Sequence, residues 1–217
     1  MSGEAEQDLR AALLHTSRRM VERGLNRGTA GNASVRSGKH ILITPSALPV
    51  AAMDERDMVL LEMDGAVLKG GKPSSEWRFH CDILRARPEI GAVLHMHSTY
   101  ATTLACLRRD IPAVHYHVAF AGGDSIRCTP YSVFGEQELS GHALEALRDR
   151  KACLLGNHGM IALGKDLEDA LAVALEVEFL CEIYWRALSA GEPQILTPQQ
   201  MHEVRQKFTE YKKPRQE

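Results

Sequence analysis

Two β-type runs, Lys151 to Leu155 and Met160 to Leu163, are separated only by Gly156-Asn157-His158-Gly159. A connection that short joins antiparallel neighbours; a parallel pair needs a crossover of a dozen residues or more. The same hairpin-like spacing recurs near the N-terminus. β-type runs at Ser34 to Arg36, His40 to Thr44 and Met58 to Glu62 are separated by turn chemistry at Ser37-Gly38, Pro45-Ser46 and Asp64-Gly65. Helical patterns fall between these groups without alternating strictly with strands. Leu9, Leu13, Thr16 and Met20 mark one face over residues 8 to 23, ended by Gly24. Pro73-Ser74-Ser75 starts a helix running to about Arg87, another lies near Gln137 to Arg148, and the longest runs from Asp166 to Gly191. The pattern predicts an α/β fold of three layers, α/β/α, around a mostly antiparallel sheet rather than a doubly wound parallel one. Further strands are expected at Gly91 to His97, Ala113 to Phe120 and Ser125 to Tyr131. In the longest helix, the stripe Leu167, Leu171, Ala174, Leu175, Glu178 and Phe179 reads as core, with Trp185.

The chain has 217 residues, the length of one domain, and can bury enough surface to fold without disulfides or a structural metal. A single domain over 1–217 is expected, with 212–217 a loose tail. The five cysteines are odd in number and widely spaced, so they read as reduced thiols. With 26 Lys and Arg against 28 Asp and Glu, the net charge of −2 argues against a nucleic-acid binder. No apolar run is long enough for a membrane span, and the N-terminus lacks a secretory signal. No nucleic-acid or membrane partner is therefore expected, and the expected address is cytoplasmic.

Several residues could carry chemistry. His95 and His97, two apart in a strand, project from one face and could converge on one ion, with His158 in its tight turn as a third ligand. Zinc, cobalt and nickel suit imidazole. His115 and His117 have the same spacing, and spacing alone does not choose between the pairs. Glu76 falls in a helix's first turn, where the dipole favours an acid, but too early for a reciprocal capping box, so a metal-ligand or general-base role stands beside the structural one. Gly28-Thr29-Ala30-Gly31-Asn32 lacks the lysine of a Walker loop. Its amides, the hydroxyls of Thr29, Thr44, Ser46, Ser74 and Ser75, and a helix N-terminus would together suit a phosphate monoester.

The ordered motifs Gly-Thr-Ala-Gly-Asn-Ala-Ser, Ile-Thr-Pro-Ser, Pro-Ser-Ser-Glu-Trp-Arg-Phe-His, His-Met-His-Ser and Asn-His-Gly-Met resemble the class II aldolase and adducin-head family, in its L-fuculose-1-phosphate aldolase branch. The resemblance runs from about Leu9 to Tyr211. It implies a divalent-metal-dependent aldolase that cleaves a ketose 1-phosphate to dihydroxyacetone phosphate and an aldehyde, the substrate being L-fuculose 1-phosphate, a 5-deoxypentulose 1-phosphate or 5-methylthioribulose 1-phosphate. The implied ligands are His95, His97 and His158 with Glu76, which also serves as acid/base; Zn2+ is the expected ion, with Mn2+ and Co2+ as alternatives. The phosphate site maps to Thr29, Gly31, Asn32, Thr44, Ser46, Ser74 and Ser75. Tyr116 matches a tyrosine contributed by a neighbouring subunit of a homotetramer, and Tyr211 falls near where the family closes its pocket. Related branches, a phosphopentulose 4-epimerase and a methylthioribulose-1-phosphate dehydratase, are the alternative readings; the epimerase motif has Asp where this chain has Glu76. A non-enzymatic head domain is disfavoured by the presence of the full ligand set.

Overall fold

The computed structural model of the protein describes residues 3–211; the tail expected at 212–217 lies outside them. The elements are α1 (Gly3–Glu22), β1 (Asn32–Ser37), β2 (His40–Ile43), β3 (Val59–Leu61), β4 (Val67–Lys69), α2 (Trp77–Ala86), β5 (Ala92–Met96), α3 (Thr99–Cys106), β6 (Arg127–Cys128), α4 (Gln137–Ala146), β7 (Ala152–Leu155), β8 (Gly159–Gly164), α5 (Leu167–Ala190) and α6 (Pro198–Tyr211). The strands form one 8-stranded sheet in the order β4-β3-β2-β1-β5-β8-β7-β6. Every neighbouring pair is antiparallel except β6 with β7.

Strand alternation divides the core in two. Ile41, Ile43, Val59, Leu61, Val93, Cys153, Leu155, Ile161 and Leu163 point to one face, where Phe79, Cys81, Ile83 and Leu84 of α2 and Leu139 and Ala143 of α4 cover them. The intervening Leu42, Leu60, Ala92, Leu94, Leu154, Met160 and Ala162 point to the other, covered by α1, α3 and α5. Because both faces are buried, the central strands are apolar almost throughout. The result is the expected three-layer α/β/α arrangement.

Several boundaries differ from expectation. The strand expected at 113–120 is instead a 3-10 segment, Tyr116–Ala121. Its buried residues Val118 and Ala121 are three apart, the period of a 3-10 turn, and Gly122 closes it in the left-handed region at φ 94°. The strand expected at 125–131 shrinks to Arg127–Cys128. Helices α3 and α6 and strand β4 were not expected. In α5, Phe179 and Trp185 are exposed in the single chain, and Glu178 does not join the core. No helix among the described residues is long and apolar enough to cross a membrane.

Candidate active site

Strand β5 lies between β1 and β8, with His95 opposite Asn32 on one side and Ile161 on the other. The alternation that aims Val93 at the α2/α4 face aims His95 there too, edge-on to Phe79 at 5.5 Å between centroids. His95 is fully buried, and its Nδ1 lies 3.0 Å from the Met160 carbonyl oxygen. A carbonyl only accepts, so Nδ1 carries the hydrogen and Nε2 presents its lone pair to the site. That Nε2 lies 3.0 Å from His97 Nε2 and 3.2 Å from Glu76 Oε2. His158 arrives from the β7–β8 turn, where Asn157 adopts φ 56°, and places Nε2 3.4 Å from Glu76 Oε1. Ligand atoms of His95, His97 and His158 all lie within 4.8 Å of one another.

Glu76 stands one position earlier than expected. It is the N-cap residue of α2, with φ −101° and ψ 16°, and its side chain makes no cap hydrogen bond. Ser74 does the local work instead: its Oγ accepts the Glu76 amide at 3.3 Å and its carbonyl accepts the Trp77 amide at 3.2 Å. The carboxylate is left to face the histidines. Burial acts to raise its pKa, but His95, His158 and a hydrogen bond from Asn32 outweigh this and hold it well below the usual carboxylate range. For His95, burial acts to lower the value and Glu76 and the Met160 carbonyl outweigh it, so the ring is held above the ordinary imidazole value. Burial and the proximity of His95 push His97 and His158 each down to about 4.

These residues fit a divalent cation on their own chemistry. Glu76 Oε1 is buried without a hydrogen-bond partner, which is costly unless something cationic faces it. The two Nε2 atoms of His95 and His97 face each other at 3.0 Å, an arrangement that a proton or a cation between them relieves. Three imidazoles and one carboxylate form a donor set suited to zinc or a similar ion.

A cavity of about 290 Å³ opens over the cluster. Thr29, Gly31, Asn32, Ser46, Ser74 and Ser75 line one end, beside the start of α2, and Glu76, His97 and His158 line its floor. Among the described residues no Lys or Arg lines it, and hydroxyls, amides and the helix N-terminus are the groups they offer an anion there. Thr44 departs from expectation: it is buried, is not among the lining residues, and its Oγ1 accepts the Ala33 amide at 3.2 Å. Ser46 lies past the end of β2, beyond the isolated bridge of Pro45 with Pro73, and it lines the cavity. Tyr131, Ser132, Phe134 and Asn157 also line it. From sequence, Phe134 is expected in the distal pocket, whereas Tyr131, Ser132 and Asn157 are not anticipated there.

Tyr116 lies elsewhere. It is 46% exposed and lines a different cavity, which it shares with Phe120, Phe208 and Tyr211. The competing histidines stay with it: His117 Nδ1 pairs with Glu176 Oε1 at 2.6 Å, and the His115 ring packs at a tilt against Tyr116, 4.7 Å between centroids.

Gly159 sets the approach of the two histidine-bearing segments. A Cβ there would lie 2.4 Å from the Met96 carbonyl oxygen and 2.9 Å from His97 Cδ2. Gly159→Ala is therefore expected to displace His97, weakening divalent-metal affinity and costing about 1–3 kcal/mol of stability. Metal titration and a thermal melt check this; unchanged affinity would show that the ring has room to yield.

A sequence signature described as the Class II Aldolase and Adducin N-terminal domain matches residues 11–185. A 5-methylthioribulose-1-phosphate/5-deoxyribulose-1-phosphate aldolase of Rhodospirillum rubrum is 52% identical over 203 residues, spanning 94% of this chain and 92% of that protein. An L-fuculose phosphate aldolase of Escherichia coli is 44% identical over 200 residues, spanning 92% of this chain and 93% of its own. A solved L-fuculose 1-phosphate aldolase superposes with a TM-score of 0.91 at 37% identity, covering 96% of this chain and 98% of that one.

Proposed function

The chain belongs to the class II aldolase and adducin family, and from that premise we propose that it is a divalent-metal-dependent aldolase cleaving a ketose 1-phosphate between C3 and C4 to dihydroxyacetone phosphate and an aldehyde. The observation that carries this reading is the convergence of His95, His97 and His158 on the Glu76 carboxylate at the floor of a hydroxyl-lined cavity.

His95, His97, His158 and Glu76 would hold the ion, zinc being the best match to the donor set. When bound, it supplies the positive charge that stabilises negative charge developing on the C2 and C3 oxygens as the bond breaks. The chain's own residues do the rest. Thr29, Ser46, Ser74 and Ser75, with the Gly31 and Asn32 backbone, anchor the phosphate and so fix the sugar's orientation over the floor. In the synthetic direction the Glu76 carboxylate removes the C3 proton and the Tyr116 hydroxyl donates its proton to the aldehyde oxygen; cleavage runs both transfers in reverse, the C4 hydroxyl proton passing to the tyrosinate and the carboxylic acid returning a proton to C3, with solvent restoring both groups between turnovers. Tyr116 lines a cavity apart from the histidines of its own chain, which supports its action on the site of a neighbouring copy in a homo-oligomer, a tetramer in our reading. We place the enzyme in the cytoplasm.

The aldehyde half is read from Tyr131 and Phe134 of the cavity lining, whose exposed aromatic surface suits a methyl or methylthio tail, and the relative at 52% identity is named for 5-methylthioribulose and 5-deoxyribulose 1-phosphates. We therefore assign these pentulose phosphates ahead of L-fuculose 1-phosphate. Initial rates of dihydroxyacetone phosphate release, coupled to a reductase, test the order. The expected result is a kcat/KM for 5-methylthioribulose 1-phosphate at least about tenfold above that for L-fuculose 1-phosphate, equivalent to roughly 1.4 kcal/mol of pocket discrimination. The reverse preference would reassign the substrate. Carbon–carbon cleavage of neither, with an epimer or a dehydrated ketone formed instead, would favour the epimerase or dehydratase.

A further inference from the structure

Behind the Glu76 carboxylate runs a chain of three side chains from two elements. Asn32 and Ser34, two apart on β1, share a face, and His80, one turn beyond Glu76 on α2, packs against both. His80 Nδ1 lies 2.7 Å from Ser34 Oγ, and His80 Nε2 lies 2.5 Å from Asn32 Oδ1. Asn32 Nδ2 then donates to Glu76 Oε2 at 2.9 Å. None of the cavity-lining roles above uses His80, which is fully buried and stacked on Phe79 at 4.6 Å between centroids.

We infer that His80 is a positioning residue whose Nε2–H donor locks the Asn32 amide in one orientation and thereby holds the Glu76 carboxylate in place.

Each proton in the chain has one consistent location. Asn32 Oδ1 only accepts, so the hydrogen lies on His80 Nε2; in a neutral ring Nδ1 is then an acceptor, and the Ser34 hydroxyl supplies its hydrogen. Burial keeps the ring neutral, pushing its pKa down to about 3, with His95 acting in the same direction and Glu76 against it. A flipped Asn32 amide would set oxygen against the Glu76 carboxylate and NH2 against the His80 N–H, unfavourable at both ends. The two contacts therefore specify the same orientation. Remove the His80 donor and only the carboxylate end still orients the amide.

The inference rests on the proposed role of Glu76 as acid/base, and its test separates the two. In the metal-free wild-type protein carrying 15N-labelled histidine, ring NMR is expected to find His80 as the Nε2–H tautomer. An Nδ1–H tautomer would overturn the inference whatever the activity. In the metal-loaded enzyme, His80→Phe, an apolar planar replacement, is expected to lower kcat by about 10-fold, the low end of the range for direct partners of a metal ligand, because His80 acts on Glu76 through Asn32. KM should stay within about twofold, because none of the phosphate-anchoring hydroxyls bonds to His80. His80→Gln, which can place an amide N–H near the position of Nε2, should recover most of the lost kcat. Wild-type kcat in His80→Phe, or equal losses in folded Phe and Gln variants, would overturn the positioning role. If His80→Phe does not fold, the wild-type tautomer and the kcat of His80→Gln decide. If the wild-type enzyme cleaves no ketose phosphate, the functional reading fails while the tautomer still tests the lock.

Discussion

Glu76→Gln is expected to lower kcat for ketose 1-phosphate cleavage by about 10³-fold while the melting temperature stays near that of the wild type. The amide has the same shape but cannot exchange a proton with C3 at neutral pH, and positioned acid/base groups contribute about 10²- to 10⁴-fold. The fold should survive because the Glu76 side chain caps nothing; the Ser74 hydroxyl and carbonyl secure the start of α2. Asn32 Nδ2 can still donate to the Gln oxygen, so the pocket keeps its neighbour contact. Rates measured at saturating metal, with metal content determined in parallel, separate loss of the proton carrier from loss of a ligand. Full activity in the metal-loaded variant would remove Glu76 from the mechanism.

His158→Ala is expected to have an effect of similar size by a different route. His158 sits on a turn and its side chain is 12% exposed, so truncation leaves the β5–β8 and β7–β8 ladders intact. It removes one of three imidazoles and leaves Glu76 Oε1 without the ring nitrogen that lies 3.4 Å from it. Outer partners of metal ligands alter affinity by about 10- to 100-fold, and loss of a ligand itself should exceed that. The purified variant should carry well under one divalent ion per chain and regain activity only at high added metal, if at all. Elemental analysis and a metal-dependence curve check this. Wild-type metal content with wild-type rates would exclude His158 from the site.

The parts of the site legible in sequence were those set by local periodicity. His95 and His97 share a face because strands alternate, and the short Gly156–Gly159 connection has to turn sharply at His158. Glu76 was placed within one residue by the preceding serines. The β-type run over 113–120, which holds His115 and His117, forms a 3-10 segment in place of a strand, because packing of Val118 and Ala121 with a left-handed Gly122 favours that turn. Thr44 and Ser46 offered the same hydroxyl chemistry, and only the strand's end geometry decides which one faces the cavity.

What could not be read came from residues far apart in the chain. Helix α3 is held by a cap from α5: Glu178 accepts the Tyr100 amide at 2.8 Å, the Ala101 amide at 2.9 Å and the Ser98 hydroxyl at 2.6 Å. Ser98 stands at the N-cap but gives its hydroxyl to Glu178 instead of capping the helix itself, so the cap comes from 78 residues away, and the same contact explains why Glu178 interrupts the apolar stripe of α5. Helix α6 buries only Met201 fully, so its pattern lacks a strong apolar face, although Phe208 packs on Tyr116 and Phe120. The Ser34–His80–Asn32–Glu76 chain likewise joins residues 44 to 48 positions apart.

Carbon–carbon cleavage by this cluster with a divalent ion bound is read by 31P and 1H NMR of the products formed from 5-methylthioribulose 1-phosphate by the metal-loaded enzyme, beside a sample stripped with chelator. Equimolar dihydroxyacetone phosphate and thioether aldehyde are expected in the loaded sample, neither in the stripped one, with recovery when zinc is restored. Equal cleavage in the stripped sample, or a phosphorylated product that keeps all five sugar carbons, would contradict metal-dependent cleavage.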